Sequence, residues 1–374
     1  MNKVLEVQKW LRACGNVDCY TPATFHLERL KAKFAIDYKF HSKYPNLCLL
    51  KYSQIDSPFS EPIVQECRGL ILNSADNWNA IAFPFTKFFN NFEGLAANID
   101  WKTAKVQEKR DGSLISMWHY KGEWNISTSG CPDGLNQVGD TGITFGELFW
   151  QTFNKQNLDT GGLFDWYTYI FELTSPFNRV VVDYKESKLT LIGVGNLQTL
   201  NEVHPDKVFF KFAETPRPVE YPLPSVESCL NAANKLNPLE NEGYVVVDAN
   251  FNRVKIKSPA YVAIHHMKDA CSLSKLAEVV RNGEWEEFTI AIDSYPEIKG
   301  KFLELVDRYK ALIEDCNSIY SSIKDIENQK EFALKACKTP YSGVLFAMRK
   351  TGKSPQAIIK EMLTNAYLKL IGIK

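Results

Sequence analysis

The sequence has no surplus of charge of either sign: 44 lysines and arginines face 44 aspartates and glutamates, for a formal net charge of zero. A globally basic, nucleic-acid-coating chain is excluded, so any polyanion must be held by a local patch. No run of about 18 apolar residues occurs, and no membrane span is expected. The opening MNKVLEVQKWLRACG is amphipathic and charged and lacks the apolar block of a secretory signal. Nine cysteines, at 14, 19, 48, 67, 131, 229, 271, 316 and 337, are scattered and odd in number, with no C-x-x-C pair. That pattern speaks against a disulfide framework or a zinc site and for a reducing cytoplasm. In such a compartment the glycosylation acceptor Asn125-Ile-Ser127 carries no meaning.

What is present is ordinary soluble-protein material. A chain of 374 residues has room for two or three domains, and 13% aromatics suit both large cores and stacking sites. Residues 1–35 read as mixed helix and loop. From Cys48 to Phe92 the pattern is strand-like, through NLCLLKYS, ECRGLILN and AIAFPFTKFFNNFE. Further strands are expected in EWNISTSG, YTYIFELT and LTLIGVG, with a helix through ITFGELFWQTF ending near Gly161-Gly162. A Pro-rich stretch at 214–224 precedes a predicted helix over 225–236.

Three stretches carry chemistry. In VQEKRDGSLIS (106–116), the Asp111-Gly112 pair predicts a tight turn whose positive φ Gly112 supplies, presenting Lys109 at a strand end. Such a lysine attacks phosphorus if its surroundings strip its proton; the bland alternative is a β-hairpin tip with an exposed lysine. In YTYIFELT, period two puts Tyr167, Tyr169 and Phe171 on one face and Thr168, Ile170 and Glu172 on the other. A carboxylate in so apolar a strand wants a cation, a metal or a donor. In ENEGYVVVDANFNRVKIKS, a hairpin sends Lys255 and Lys257 out of one strand face, where they repel unless an anion lies beside them.

From about residue 268 the pattern is helical. SLSKLAEVVRNG stops at Gly283, residues 296–337 carry apolar side chains at helical spacing, and Ser354-Pro355 opens another helix. From Lys335 to the end there are eight basic residues and one acid, Glu361, a candidate RNA-backbone surface. Gly352-Lys353-Ser354 lacks the upstream glycine and leading strand of a phosphate loop and is set aside.

Taken together, ECRG at 66–69, KFFN at 87–90, Lys109 with its DGS turn, FELTSPFNRVV at 171–181, EGYVVV at 242–247 and KIKS at 255–258 resemble the covalent nucleotidyltransferases in order and spacing. The set, with the length and the helical last third, looks like the phage RNA ligase 1 family. That resemblance implies an α+β fold: an adenylyltransferase domain built on antiparallel β-sheets over 1–262, then an all-helical RNA-recognition domain over 263–374. It implies ATP and Mg2+ as cofactors, with Mn2+ able to stand in, and RNA with 5′-phosphate and 3′-hydroxyl ends as partner. It also implies a soluble monomer, in the host-cell cytoplasm if phage-encoded, working in RNA or tRNA repair.

By the same resemblance Lys109 is the nucleophile that takes AMP as a lysyl phosphoramidate, with Asp111 and Gly112 setting its turn. Tyr52, Arg68, Lys87 and Phe89 match nucleotide-contacting or nucleotide-supporting positions, and Lys255 and Lys257 match the phosphate grip. Glu172 and Glu242 serve ribose or metal, with Glu286 as a further metal-binding acid. One departure stands out: Ser129 precedes Gly130 where the family usually has a lysine. Positive neighbours (Arg68, Lys255, Lys257 and a bound magnesium) are expected to keep Lys109 unprotonated. The competing readings are a catalytically inactive nucleotide- or RNA-binding module of this fold, and a DNA ligase or capping-type enzyme. The latter normally continue into an OB-fold, whereas helices follow KIKS here.

Overall fold

The computed structural model describes residues 3–14, 23–54, 56–208, 215–268, 273–283, 285, 288–289, 292 and 296–373. It divides into two compact units, residues 1–258 and 259–374. The strands of the first unit are β1 (Ile36–Phe40), β2 (Leu47–Tyr52), β3 (Arg68–Asn73), β4 (Asn79–Ala82) and β5 (Phe89–Asn90). They continue as β6 (Lys105–Lys109), β7 (Ser113–Tyr120), β8 (Glu123–Thr128), β9 (Tyr167–Thr174) and β10 (Lys188–Asn196). The last are β11 (Asn201–Val203), β12 (Glu220–Tyr221), β13 (Gly243–Val247) and β14 (Arg253–Lys257).

Among the described residues three sheets result, in the orders β1-β2-β3-β4, β11-β10-β9-β7-β8 and β12-β6-β13-β14-β5. Strand β2 is buried on both faces, which its near-continuous apolar run LCLL requires. Its Cys48, Leu50 and Tyr52 pack with Leu11, Leu27 and Leu30 from the N-terminal helices. Leu47 and Leu49 pack with Trp118 of β7 on the other side, which joins the first two sheets. Helix Phe145–Lys155 covers the second sheet and helix Val226–Ala233 the third.

The Asp111-Gly112 pair does not make a hairpin. Strands β6 and β7 on either side of it belong to different five-stranded sheets, so this turn is where the chain crosses between them. Gly112 is not in the left-handed region; what it supplies is room. A Cβ there would lie 2.4 Å from the Leu173 carbonyl oxygen of β9. The positive φ falls instead on Gly69, at +86°, where β3 leaves ECRG, and on Gly243, at +147°.

Other expectations shift as well. IDYKF forms β1, a strand the apolar pattern did not announce because only its alternate residues are buried. Of AIAFPFTKFFNNFE only β4 and β5 are strands, and β5 pairs with β14 in parallel, the one parallel pair among otherwise antiparallel described pairings. The helix through ITFGELFWQTF ends at Lys155, short of Gly161-Gly162. Its start is set by a capping box between Thr144 and Glu147.

Among the described residues of 259–374 the elements are helices: Pro259–Lys268, Leu273–Asn282, Pro296–Ile323, Gln329–Ala336, Ser342–Thr351, Pro355–Glu361 and Thr364–Leu370. Helix thus begins at Pro259, earlier than the pattern suggested. The 296–337 stretch breaks after Ile323 and restarts where the Asn328 side chain accepts from the amides of Lys330 and Glu331. Phe302, Leu305, Tyr309, Leu312 and Cys316 form one stripe into the core. Gly352 closes a helix at φ +68°, and Ser354 caps the next. No helix of the described residues is long and apolar enough to cross a membrane.

Candidate active site

The crossover between the two five-stranded sheets positions Lys109. As the last residue of β6 it pairs with Gly243, and Gly243 pairs in turn with Lys257 of β14. This register sets the chain ends of three strands side by side. Gly243 permits it: a Cβ there would meet the Ile256 carbonyl oxygen at 2.2 Å. Glu242, just before β13 and only 3% exposed, accepts from both lysines. Lys109 Nζ lies 2.7 Å from Glu242 Oε2, and Lys257 Nζ 2.9 Å from Glu242 Oε1.

Asp111 holds the crossover down. Its buried Oδ2 accepts from the amides of Val181 and Val182, each at 2.8 Å, and its own amide donates to the Tyr184 hydroxyl at 3.1 Å. It is therefore an anchor for the FNRVV loop, which is not a strand. The Gly112 amide donates to Glu172 Oε1 at 3.1 Å, tying β9 to the same turn.

These residues line a cavity of about 620 Å³ whose walls include Arg68, Lys109, Gly112, Glu172, Lys255 and Lys257. Arg68 has a buried guanidinium nitrogen, Nη1, with no acceptor among the described residues, and its Cζ lies 5.4 Å from the Phe88 ring centre. A buried donor without an acceptor in a cavity wall calls for an anionic ligand. Tyr52, Lys87 and Phe89 come together differently. The Lys87 ammonium sits 4.1 Å from the Phe59 ring centre, 5.0 Å from Tyr52 and 5.2 Å from Phe89, in an aromatic cage. None of these three is among the cavity-lining residues. Glu286 lies outside the described residues.

For the protein groups alone, the electrostatics run against one expectation. Burial favours the neutral amine of Lys109, but Glu242 and Glu172 outweigh it and raise its pKa above the ordinary value. Lys255 is pushed down to about 7, by burial and then by Lys257, Arg68, Lys109 and Lys87, and Lys87 is itself lowered, by burial first. Burial raises Glu172 to about 7 against the pull of Lys109, with Glu242 adding to the rise. Burial also works against the charge of Glu242, but Lys109 and Lys257 hold its pKa below the usual range. The expected cationic neighbours line the same cavity, yet the group that the Lys109 ammonium contacts is the Glu242 carboxylate.

Sequence reasoning missed Arg253, Arg110, Lys39 and Lys51, all of which line the cavity. Arg253 was findable, since it sits two places before Lys255 on the same strand face. It is paired with Glu202 at 2.5 Å. Lys39 and Lys51 lie on β1 and β2, far from the motifs in sequence, and no spacing rule points to them.

A lysine at a sheet crossover, the buried Glu242, the half-buried Glu172 and a wall of cations make a site whose chemistry suits a polyphosphate, on an α+β fold. The chain belongs to the RNA ligase family, whose model matches residues 66–261. A protein of Autographa californica nuclear polyhedrosis virus, named as a candidate bifunctional polynucleotide kinase/RNA ligase, is 32% identical over 75% of this chain and 42% of its own length. The chain thus spans less than half of that relative. An RNA ligase of Rhodothermus phage RM378 is 27% identical over 87% of this chain and 91% of its own. A solved archaeal ATP-dependent RNA ligase overlays at TM-score 0.47 and 14% identity, covering 85% of this chain and 87% of that one.

Proposed function

We propose that this chain is an ATP-dependent RNA ligase that joins 5′-phosphate to 3′-hydroxyl RNA ends through an adenylate carried on Lys109. The observation that carries the reading is the placement of Lys109 Nζ in the wall of a cavity also lined by Arg68, Lys255 and Lys257. In the first step the amine attacks the α-phosphorus of ATP, forming a P–N bond as the bond to pyrophosphate breaks. AMP then passes to an RNA 5′-phosphate, and a 3′-hydroxyl displaces it to seal the strand.

The donor set fits a magnesium ion. Glu172 and Glu242 interact electrostatically and offer hard oxygen donors, and among the described residues no three His, Cys, Asp or Glu side chains gather into a full protein cage. That suits an ion shared between one or two carboxylates and substrate phosphates. What magnesium supplies when bound is positive charge against those carboxylates and the phosphates. With Glu242 so offset, burial, the largest single influence on Lys109, favours its neutral amine. Arg68, Lys255 and Lys257 neutralise the triphosphate and the charge that develops on the departing pyrophosphate. Residues 259–374, with the basic stretch from Lys335, serve RNA recognition in this reading. The six free cysteines among the described residues suit the reducing cytoplasm expected for it.

Incubation with labelled ATP and magnesium tests the proposal. An acid-stable adduct, discharged by pyrophosphate and absent from Lys109→Ala, supports it. Its absence from the wild-type chain supports the binding-module alternative instead.

A further inference from the structure

One wall of the cavity is formed by Thr128, Ser129, Gly130 and Cys131, where β8 ends, and these residues bring no cation of their own. A cation nevertheless reaches that wall. Strand β2 pairs with β3 in regular register as far as Leu50, where an irregularity follows and Lys51 comes opposite Arg68. Lys51 falls on the same face of β2 as Leu47 and Leu49, the face that packs with Trp118 of the neighbouring sheet. Its side chain lies along Gly130: a Cβ built on that glycine would lie 3.0 Å from Lys51 Nζ and 3.5 Å from its Cδ. Gly130 is the seat for this lysine, and any larger residue there would push it away.

Lys51 is exposed, and among the described residues it has no ion pair or side-chain hydrogen bond. Its cross-strand neighbour Asp37 is taken by Lys31 at 2.9 Å. Several other cations of the cavity are committed: Lys109 and Lys257 share Glu242, Arg110 has Glu108 and Arg253 has Glu202, while Lys39 and Lys255, like Lys51, have no ion pair among the described residues. Lys51 therefore faces the cavity with its charge unspent, beside Arg68 and its unsatisfied Nη1. We propose that Lys51 and Arg68 together form a phosphate-gripping site on the β8 wall, with Lys51 as a substrate-contacting residue of the ligase reaction. The inference rests on the proposed function for the identity of the phosphate, which belongs either to the nucleotide or to the RNA 5′ end.

Calorimetric titration of wild-type, Lys51→Ala and Lys51→Arg proteins with two probes tests it without turnover. One probe is inorganic pyrophosphate; the other is a 5′-phosphorylated oligoribonucleotide, compared with its 5′-hydroxyl form. Loss of one charged contact weakens binding about tenfold, with partial rescue by arginine and an unchanged melting temperature. Weaker pyrophosphate binding assigns the contact to the nucleotide. A lost preference for the 5′-phosphate assigns it to the RNA end. Equal binding of both probes by Lys51→Ala and wild type overturns the inference. Gly130→Val, which occupies the seat, should mimic Lys51→Ala. A wild-type chain that forms no Lys109 adduct while Lys51→Ala still loses phosphate affinity would sink the proposed function and leave this site standing.

Discussion

Residues 259–374 bury Phe302, Leu305, Phe332, Val344, Leu345 and Ile359, and the sole charged side chain in the buried class among its described residues is Arg281. Residues 1–258 bury Asp111, Glu242, Asp248 and Arg253 together with their aliphatic core. The first arrangement is what stability alone asks for, since a buried charge costs more than it returns unless fully paired. The second is tolerable because most partners are in place: two backbone amides for Asp111, two lysines for Glu242, and Glu202 for Arg253. On the cavity wall Arg68 Nη1 lacks an acceptor and Lys51 lacks an ion pair among the described residues. Within the cavity wall, it is these incompletely paired cations that are left over for an anionic ligand.

Changes in the two units should therefore separate chemistry from stability. Lys109→Ala should cut adduct formation by at least about 10³-fold with little change in circular dichroism, because Glu242 keeps Lys257 as partner. Retained adduct would show that the carboxylate-bridged lysine is not the nucleophile. Phe332→Ala, in the core of the second unit, should cost roughly 3–5 kcal/mol in chemical denaturation. Adduct formation measured below the melting transition should survive it, and joint loss would erase the contrast. Gly112→Ala should do both kinds of damage, roughly 1–3 kcal/mol of strain and a slower adduct. Its Cβ meets the Leu173 carbonyl on the crossover that carries Lys109.

A subtler test lies in pH. With Glu172 raised to about 7, the native state holds a proton that the unfolded chain has released above about 4.5. Stability on that account falls as pH rises from about 4.5 to about 7. Glu172→Gln should flatten this part of a melting-temperature profile; an unaltered slope would mean that another group carries it. Lys255, lowered to about 7, acts in the opposite direction above neutrality, where the unfolded chain binds the extra proton and stability rises with pH. The smallest effect is expected from Lys350→Ala on the exposed surface of the helical unit. Stability should move by less than about 0.5 kcal/mol, while the salt slope of RNA binding drops by about one. An unchanged slope would remove Lys350 from the RNA surface.

How much was legible varied residue by residue. The alternation in RVKIK sufficed to send Lys255 and Lys257 together into one face and Val254 and Ile256 into the core, and the strand obeys. Glu172 in its apolar strand was read as wanting a cation, a metal or a donor, and the Gly112 amide donates to it. The Asp-Gly signal misled, because a two-residue turn looks the same in sequence whether its strands pair with each other or join different sheets. Lys51 could not be seen, since its relation to Gly130 depends on two sheets packing through Trp118.

By itself, then, the sequence determined which side chains exist to do chemistry and, through strand period two, which of them leave the same face. Local backbone geometry is short-ranged, and a few residues encode it. Only the tertiary structure decided which charges surround Lys109 and the company it keeps. Whether a lysine meets a carboxylate 133 positions away at 2.7 Å depends on sheet register and on glycines that let strands close. Coulomb energy follows distance in space, which the order of residues along the chain does not contain.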